Sequence, residues 1–180
     1  MKVEELVYRQ KSTGVPWVSL LDASATGLDD AGLRHWARRL AVTSGAAYTS
    51  RSYRYPYALV AGHSQPVGAD IERVGPCDDA FAELICTTAE RSGSPRGLDP
   101  DIYLTSLWSG KEALAKALGN ALAYEPCRLA SPTGWPRGRA GPWRAEELNA
   151  PPGYVAWLCW RSGDASPALD GRGALMGPVR

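Results

Sequence analysis

Histidine is nearly missing from this chain: His35 and His63 are the only two, too few for a nitrogen-rich metal site. Cysteine offers no alternative. Cys77, Cys86, Cys127 and Cys159 are widely spaced and form no C-x-x-C pair, so neither a zinc site nor a redox motif is indicated. They read as four buried or half-buried free thiols, and any metal bound here should be hard and held by oxygen. No apolar run approaches the roughly 20 residues of a spanning helix. The opening stretch Met1–Gln10 mixes acids and bases where a signal peptide would be apolar. No membrane association is expected, and the cytoplasm is the expected location. A dominant charge is missing as well: the net charge is +1 with dispersed basic residues, without the basic face or tail of a nucleic-acid binder.

What is present describes an ordinary globular protein of one domain or two small joined halves, with 180 residues, 44% of them hydrophobic, and a mean hydropathy of -0.26. The basic residues are mostly arginine, and the only lysines are Lys2, Lys11, Lys111 and Lys116. Two of these fall close together in the stretch from Leu107 to Gly119. An ammonium point charge and a planar guanidinium are not interchangeable, so lysine in an arginine-rich chain points to a specific need there.

Hydrophobic periodicity predicts a strand over Trp17–Leu21 and a helix over Ala31–Ala41, capped from Asp29 or Asp30, with Leu33, Trp36, Ala37 and Leu40 on one face. Arg34, Arg38 and Arg39 lie towards the other side, which reads as solvated. Tyr55–Gly62 reads as a strand, Ser64-Gln65-Pro66 as a turn, and Val67–Val74 as a strand returning in an antiparallel hairpin. Asp78–Arg91 reads as a helix. Asp99-Pro100 is an efficient helix start for an apolar helix that runs through Leu118 and ends at Gly119. Ala130–Pro142 reads as a loop, Tyr154–Trp160 as a final strand, and 161–180 as a flexible tail.

Chemistry concentrates in two of these elements. On the strand, Asp70 and Glu72 point to one face while Ile71 points to the other. Two carboxylates about 7 Å apart repel each other unless a cation lies near; a solvent-facing acidic stripe is the plainer alternative. On the helix, Glu112 and Lys116 are four residues apart and share a face, with Lys111 offset by about 100°. In isolation that pair would be a common surface stabiliser, but this helix is expected to be largely buried.

With both stretches in view, the chain resembles the 4′-phosphopantetheinyl transferases of the surfactin-synthetase-activating type. Their G-x-D-I-E strand corresponds to Gly68-Ala69-Asp70-Ile71-Glu72, and their W-x-x-K-E-A-x-x-K helix to Trp108 through Lys116. The resemblance is clear from Ser50 to Gly119 and continues faintly to Trp160. It implies an α+β fold of two similar α/β halves related by a pseudo-two-fold, each a small, mainly antiparallel sheet packed with a long helix. The halves would span 1–65 and 66–160, the first shortened relative to the family, with coenzyme A between them.

The resemblance also implies Mg²⁺ held by Asp70, Glu72 and Glu112, with phosphate oxygens contacted by Lys111 and Lys116. Glu112, directly or through a metal-bound water, would remove the proton from a serine of an acyl- or peptidyl-carrier protein. A monomer is expected. Where the family has a Ser-His-Ser-like motif that meets the nucleotide, this chain has Ser50-Arg51-Ser52; Arg51 can grip a phosphate as an imidazolium does. The family's basic Gly-Lys-Pro-like segment has no counterpart. The alternative reading is a repurposed homologue that binds a carrier protein, or acts on a different substrate, without normal coenzyme A binding.

Overall fold

The structure, a computed structural model, describes residues 4–9, 14–93 and 97–163, the first of these segments as backbone only. The elements follow one another as β1 (Glu4–Arg9), β2 (Trp17–Asp22), α1 (Asp30–Thr43), β3 (Tyr48–Arg54), β4 (Tyr57–His63), β5 (Val67–Arg73), α2 (Asp79–Ile85) and α3 (Thr88–Ser92). After these come α4 (Pro100–Leu118), β6 (Arg139–Ala140), β7 (Trp143–Leu148) and β8 (Tyr154–Arg161). The expected tail falls outside the described residues from position 164 onwards, and Arg161 still belongs to β8.

The strands form two antiparallel four-stranded sheets, ordered β1-β2-β4-β3 and β5-β8-β7-β6. Strand alternation explains how they stack. Val18, Leu20, Leu59 and Ala61 of the first sheet share a buried cluster with Ala69, Ile71, Ala156 and Leu158 of the second. The opposite face of the first sheet, through Trp17, Leu21, Ala58 and Val60, packs on Leu33, Ala37 and Ala41 of α1. The opposite face of the second, through Ala145, Trp157 and Cys159, packs on Ala113, Leu114 and Ala117 of α4. The result is four layers, helix-sheet-sheet-helix, the mixed α+β arrangement of two sheet-and-helix halves that the resemblance implies.

Several local expectations are corrected. β4 and β5 do not form a hairpin. β4 lies between β2 and β3, while β5 pairs along its whole length with β8, from Val67 opposite Trp160 to Arg73 opposite Tyr154. Both strands carry apolar side chains on their inner faces, and these bury each other only when the sheets stack face to face. Ser64-Gln65-Pro66 is therefore a crossing between sheets. The strand pairing with β4 is β3, which contains Ser50-Arg51-Ser52. The single helix expected over Asp78–Arg91 is broken at extended Cys86, because Thr87 and Glu90 form a capping box that starts α3. Not all the thiols are sheltered either: Cys86 and Cys159 are buried, Cys77 is half-buried and Cys127 is exposed.

Helix α4 follows its sequence signals closely. Asp99 caps the N-terminus with Pro100 at the first helical position, and Gly119 ends the helix at φ 80°. Gly68 sets how near α4 comes to the sheet: a Cβ there would lie 1.9 Å from the Ala113 carbonyl oxygen and 2.5 Å from the Ala117 nitrogen. Only glycine permits that approach, which brings the helix backbone down onto the strand bearing the two acids.

Candidate active site

The alternation that turns Gly68 towards α4 turns Asp70 and Glu72 the same way, and both acids are buried. Facing them from α4 are Trp108, Glu112 and Lys116, spaced one turn apart along a single stripe. Trp108 donates its indole N–H to Glu72 Oε1 at 3.2 Å. Lys116 Nζ donates to Asp70 Oδ1 at 2.6 Å and to the Ala69 carbonyl at 3.2 Å. Glu112 does not pair with Lys116; it accepts from the Tyr124 hydroxyl at 2.6 Å.

The third side is β3, the edge strand of the first sheet, which runs beside β5 and touches it through alternate side chains. Ser50 Oγ accepts the Ala69 N–H at 2.9 Å, Ser52 Oγ donates to Asp70 Oδ1 at 2.7 Å, and the Arg54 guanidinium pairs with Glu72. Thr49, Arg51 and Tyr53 of the other register, together with Ser50, line a cleft of about 490 Å³ completed by Val67, Lys116 and residues 119–123. Ser50, Arg51 and Lys116, expected from the sequence to meet substrate, thus share one cavity, whose volume suits a small-molecule site. Its described lining contains no acid.

The cluster is short of positive charge, with Lys116 and Arg54 set against Asp70, Glu72 and Glu112. Asp70 Oδ1 accepts two hydrogen bonds, while Oδ2 is buried without a hydrogen-bond partner among the described residues. Burial, and then the charge of Asp70, push Glu72 from its ordinary 4.5 up to about 7, although Arg54 and Trp108 pull the other way. Burial and the Glu112 hydrogen bond raise Tyr124, and the charges of Glu112, Asp70 and Glu72 reach it too. Of the three acids, Glu112 is the one bonded to that hydroxyl.

Among the described residues, however, no three His, Cys, Asp or Glu side chains gather closely enough to hold a metal ion by themselves. A magnesium ion takes one or two carboxylates and completes its shell with water and phosphate oxygens. An orphaned carboxylate oxygen beside a second acid with a raised pKa fits that requirement.

Lys111 lies elsewhere. Its side chain is 0% exposed and points to the other side of α4. There its three donors reach the Ile85 carbonyl, Glu90 Oε2 at 2.6 Å and the Pro126 carbonyl at 3.0 Å. Glu90 in turn accepts the backbone N–H groups of Thr87 and Ser131 at 2.8 and 2.7 Å. Burial works to raise Glu90, but the Lys111 hydrogen bond and the two backbone donors outweigh it and hold the pKa below its ordinary value. This lysine fastens α4 to α3 and to the loop behind it. Expected from the resemblance to contact phosphate, Lys111 here has all three donors used inside the protein.

Arg54 and Tyr124 were not expected in the site. For Arg54 a signal existed: Ser50, Ser52 and Arg54 alternate on β3 just as Gly68, Ala69's neighbour Asp70 and Glu72 do on β5. Tyr124 follows a glycine-terminated helix in a short irregular stretch, and no periodicity predicts that it folds back over Glu112.

The fold is a mixed α+β arrangement of two stacked sheet-and-helix units, in which an acidic strand faces a lysine-bearing helix beside a cleft. Residues 66–149 match the sequence model of the 4′-phosphopantetheinyl transferase superfamily. The matched segment, a little under half of the chain, contains Asp70, Glu72, Lys111, Glu112, Lys116 and Tyr124. No curated protein matches the chain as a relative.

Proposed function

We propose that this protein is an enzyme that transfers the 4′-phosphopantetheine arm of coenzyme A to a serine of an acyl- or peptidyl-carrier protein, in a Mg²⁺-dependent reaction of the surfactin-synthetase-activating type. The observation that carries the reading is the meeting of Asp70 and Glu72, short of positive charge, with Lys116 at a cleft walled by Ser50 and Arg51. Phosphoryl transfer asks a protein mainly for positioning and for cations against phosphate oxygens.

In this reading Arg51 and Lys116 hold phosphate oxygens of coenzyme A in the cleft. Asp70 and Glu72, joined by Glu112, would hold Mg²⁺, which would supply positive charge against the diphosphate. The serine oxygen attacks the β-phosphorus, the bond from that phosphorus to the bridging oxygen breaks, and adenosine 3′,5′-bisphosphate leaves. Glu112 takes the serine proton, directly or through a water. Lys116 balances charge at Asp70 and at the departing phosphate. Lys111 has no part in these steps.

The test is incubation with coenzyme A, Mg²⁺ and a panel of apo-carrier proteins, read by intact mass. One added phosphopantetheine on a carrier serine is expected. A panel left wholly unmodified, together with no rise in melting temperature on adding coenzyme A, overturns the reading.

A further inference from the structure

Each cation near the acids is committed: Lys116 to Asp70, Arg54 to Glu72, Lys111 to Glu90. Glu112 is left with a neutral donor, the hydroxyl of Tyr124, as its hydrogen-bond partner among the described residues. Tyr124 sits in the segment that follows α4. The residues just before it, Asn120 to Ala123, form one wall of the substrate cleft. One short stretch of chain therefore touches the cleft with its first half and Glu112 with its second.

We propose that Tyr124 is a positioning residue: its hydroxyl fixes the Glu112 carboxylate beside the Asp70–Glu72 pair, where it can serve a bound divalent cation, and ties that carboxylate to the wall of the cleft. The geometry requires such a device. Glu112 is half-buried on α4 between Trp108, which meets Glu72, and Lys116, which meets Asp70, and like charge there disfavours a carboxylate that no donor holds. A hydroxyl does this where an ammonium would not, because a neutral donor orients the carboxylate without cancelling the charge that draws the cation. It also occupies only Oε1, leaving Oε2 for a cation or a proton. Partners of this kind, bonded to a ligand and not to the metal, change metal affinity or activity by about 10- to 100-fold when removed.

Both roles of Glu112, beside a cation and in proton removal, rest on the functional reading above, so the test has two arms that separate them. Tyr124→Phe keeps the ring and its packing and removes only the hydroxyl. It is compared with Glu112→Gln and with the double variant, all shown folded by circular dichroism. In the first arm, Mn²⁺ binding to metal-free protein is followed by the paramagnetic resonance of free Mn²⁺. In the second, kcat and the KM for coenzyme A are measured with a carrier.

Tyr124→Phe should weaken Mn²⁺ binding about 10-fold and lower kcat by a similar factor, with KM changed less than about two-fold. The double variant should be no worse than Glu112→Gln alone, since both act through one carboxylate. Wild-type Mn²⁺ affinity in Tyr124→Phe, losses that multiply in the double variant, or a wild-type protein that binds no Mn²⁺ would overturn the proposal. A wild type that binds Mn²⁺ but modifies no carrier defeats the transferase reading alone, and the first arm still decides the role of Tyr124.

Discussion

Lys111 and Lys116 lie five residues apart on one helix and end in opposite kinds of surroundings. Around Lys111 every donor has an acceptor, and the opposing Glu90 is held by a lysine and two backbone N–H groups. Around Lys116 the accounts do not close: Asp70 keeps an orphaned oxygen, Glu72 binds its proton too tightly, and the lysine side chain is itself 21% exposed beside the cleft. A buried pair broken by loss of one partner destabilises strongly, so a complete network acts as architecture. An incomplete one has an unmet demand for charge that a ligand can supply. The difference separates two lysines that the sequence presents as equals.

The comparison breaks first if Lys111 is dispensable. Lys111→Met should destabilise the protein by about 3–5 kcal/mol in urea unfolding, because Glu90 and the Ile85 and Pro126 carbonyls all lose the fully buried donor they share. Adding Glu90→Gln should recover part of the loss. Lys116→Met should cost about 1.5–3 kcal/mol while losing roughly 100-fold in transfer rate. Equal effects on stability would erase the distinction.

The opposite asymmetry is expected at Glu72. At pH 8 and without divalent cations, Glu72→Gln should raise stability by up to about 3 kcal/mol, since the charged side chain is disfavoured where it sits. The same substitution should remove transfer by about 100-fold or more. A variant that is both inactive and less stable would mean that Glu72 is structural.

The smallest effects are in the pH dependence, where the two clusters have opposite signs. Glu90 is more acidic in the folded protein than in the unfolded chain. Its contribution is present above about pH 4.5 and is lost as the pH falls below that. Glu72 holds its proton more tightly when folded, so the cation-free protein should lose stability as the pH rises from 4.5 to about 7. Melting temperatures measured in chelator across that window should fall for the wild type and stay flatter for Glu72→Gln. Saturating Mg²⁺ should reverse the slope.

The elements with strong local signals were legible before any coordinates. Asp99, Pro100 and Gly119 bound α4 where their cap chemistry predicts, and Asp29 caps α1 by accepting the Gly32 N–H. The alternation of Asp70 and Glu72 was readable too, because strand periodicity depends on nothing beyond the strand. Less was legible where a competing signal was weak. Thr87 and Glu90 break a helix that periodicity alone would continue. The β4–β5 connection has a hairpin's length but leads to a second sheet, since the choice depends on which apolar faces bury each other. Among the site residues, Ser50, Arg51 and Lys116 could be singled out in the sequence, but Arg54 and Tyr124 could not be weighted without their partners.

By itself, then, the amino-acid order determined the ends of α4, the cap of α1 and the side of β5 on which the acids stand. These are local matters of cap and period. Only the tertiary structure decided that Lys116 faces the acids while Lys111 is spent on Glu90, and that Tyr124 closes on Glu112. A helix offers its side chains at angles set by its own geometry, but which of them meets an opposite charge depends on what the distant chain packs against each face.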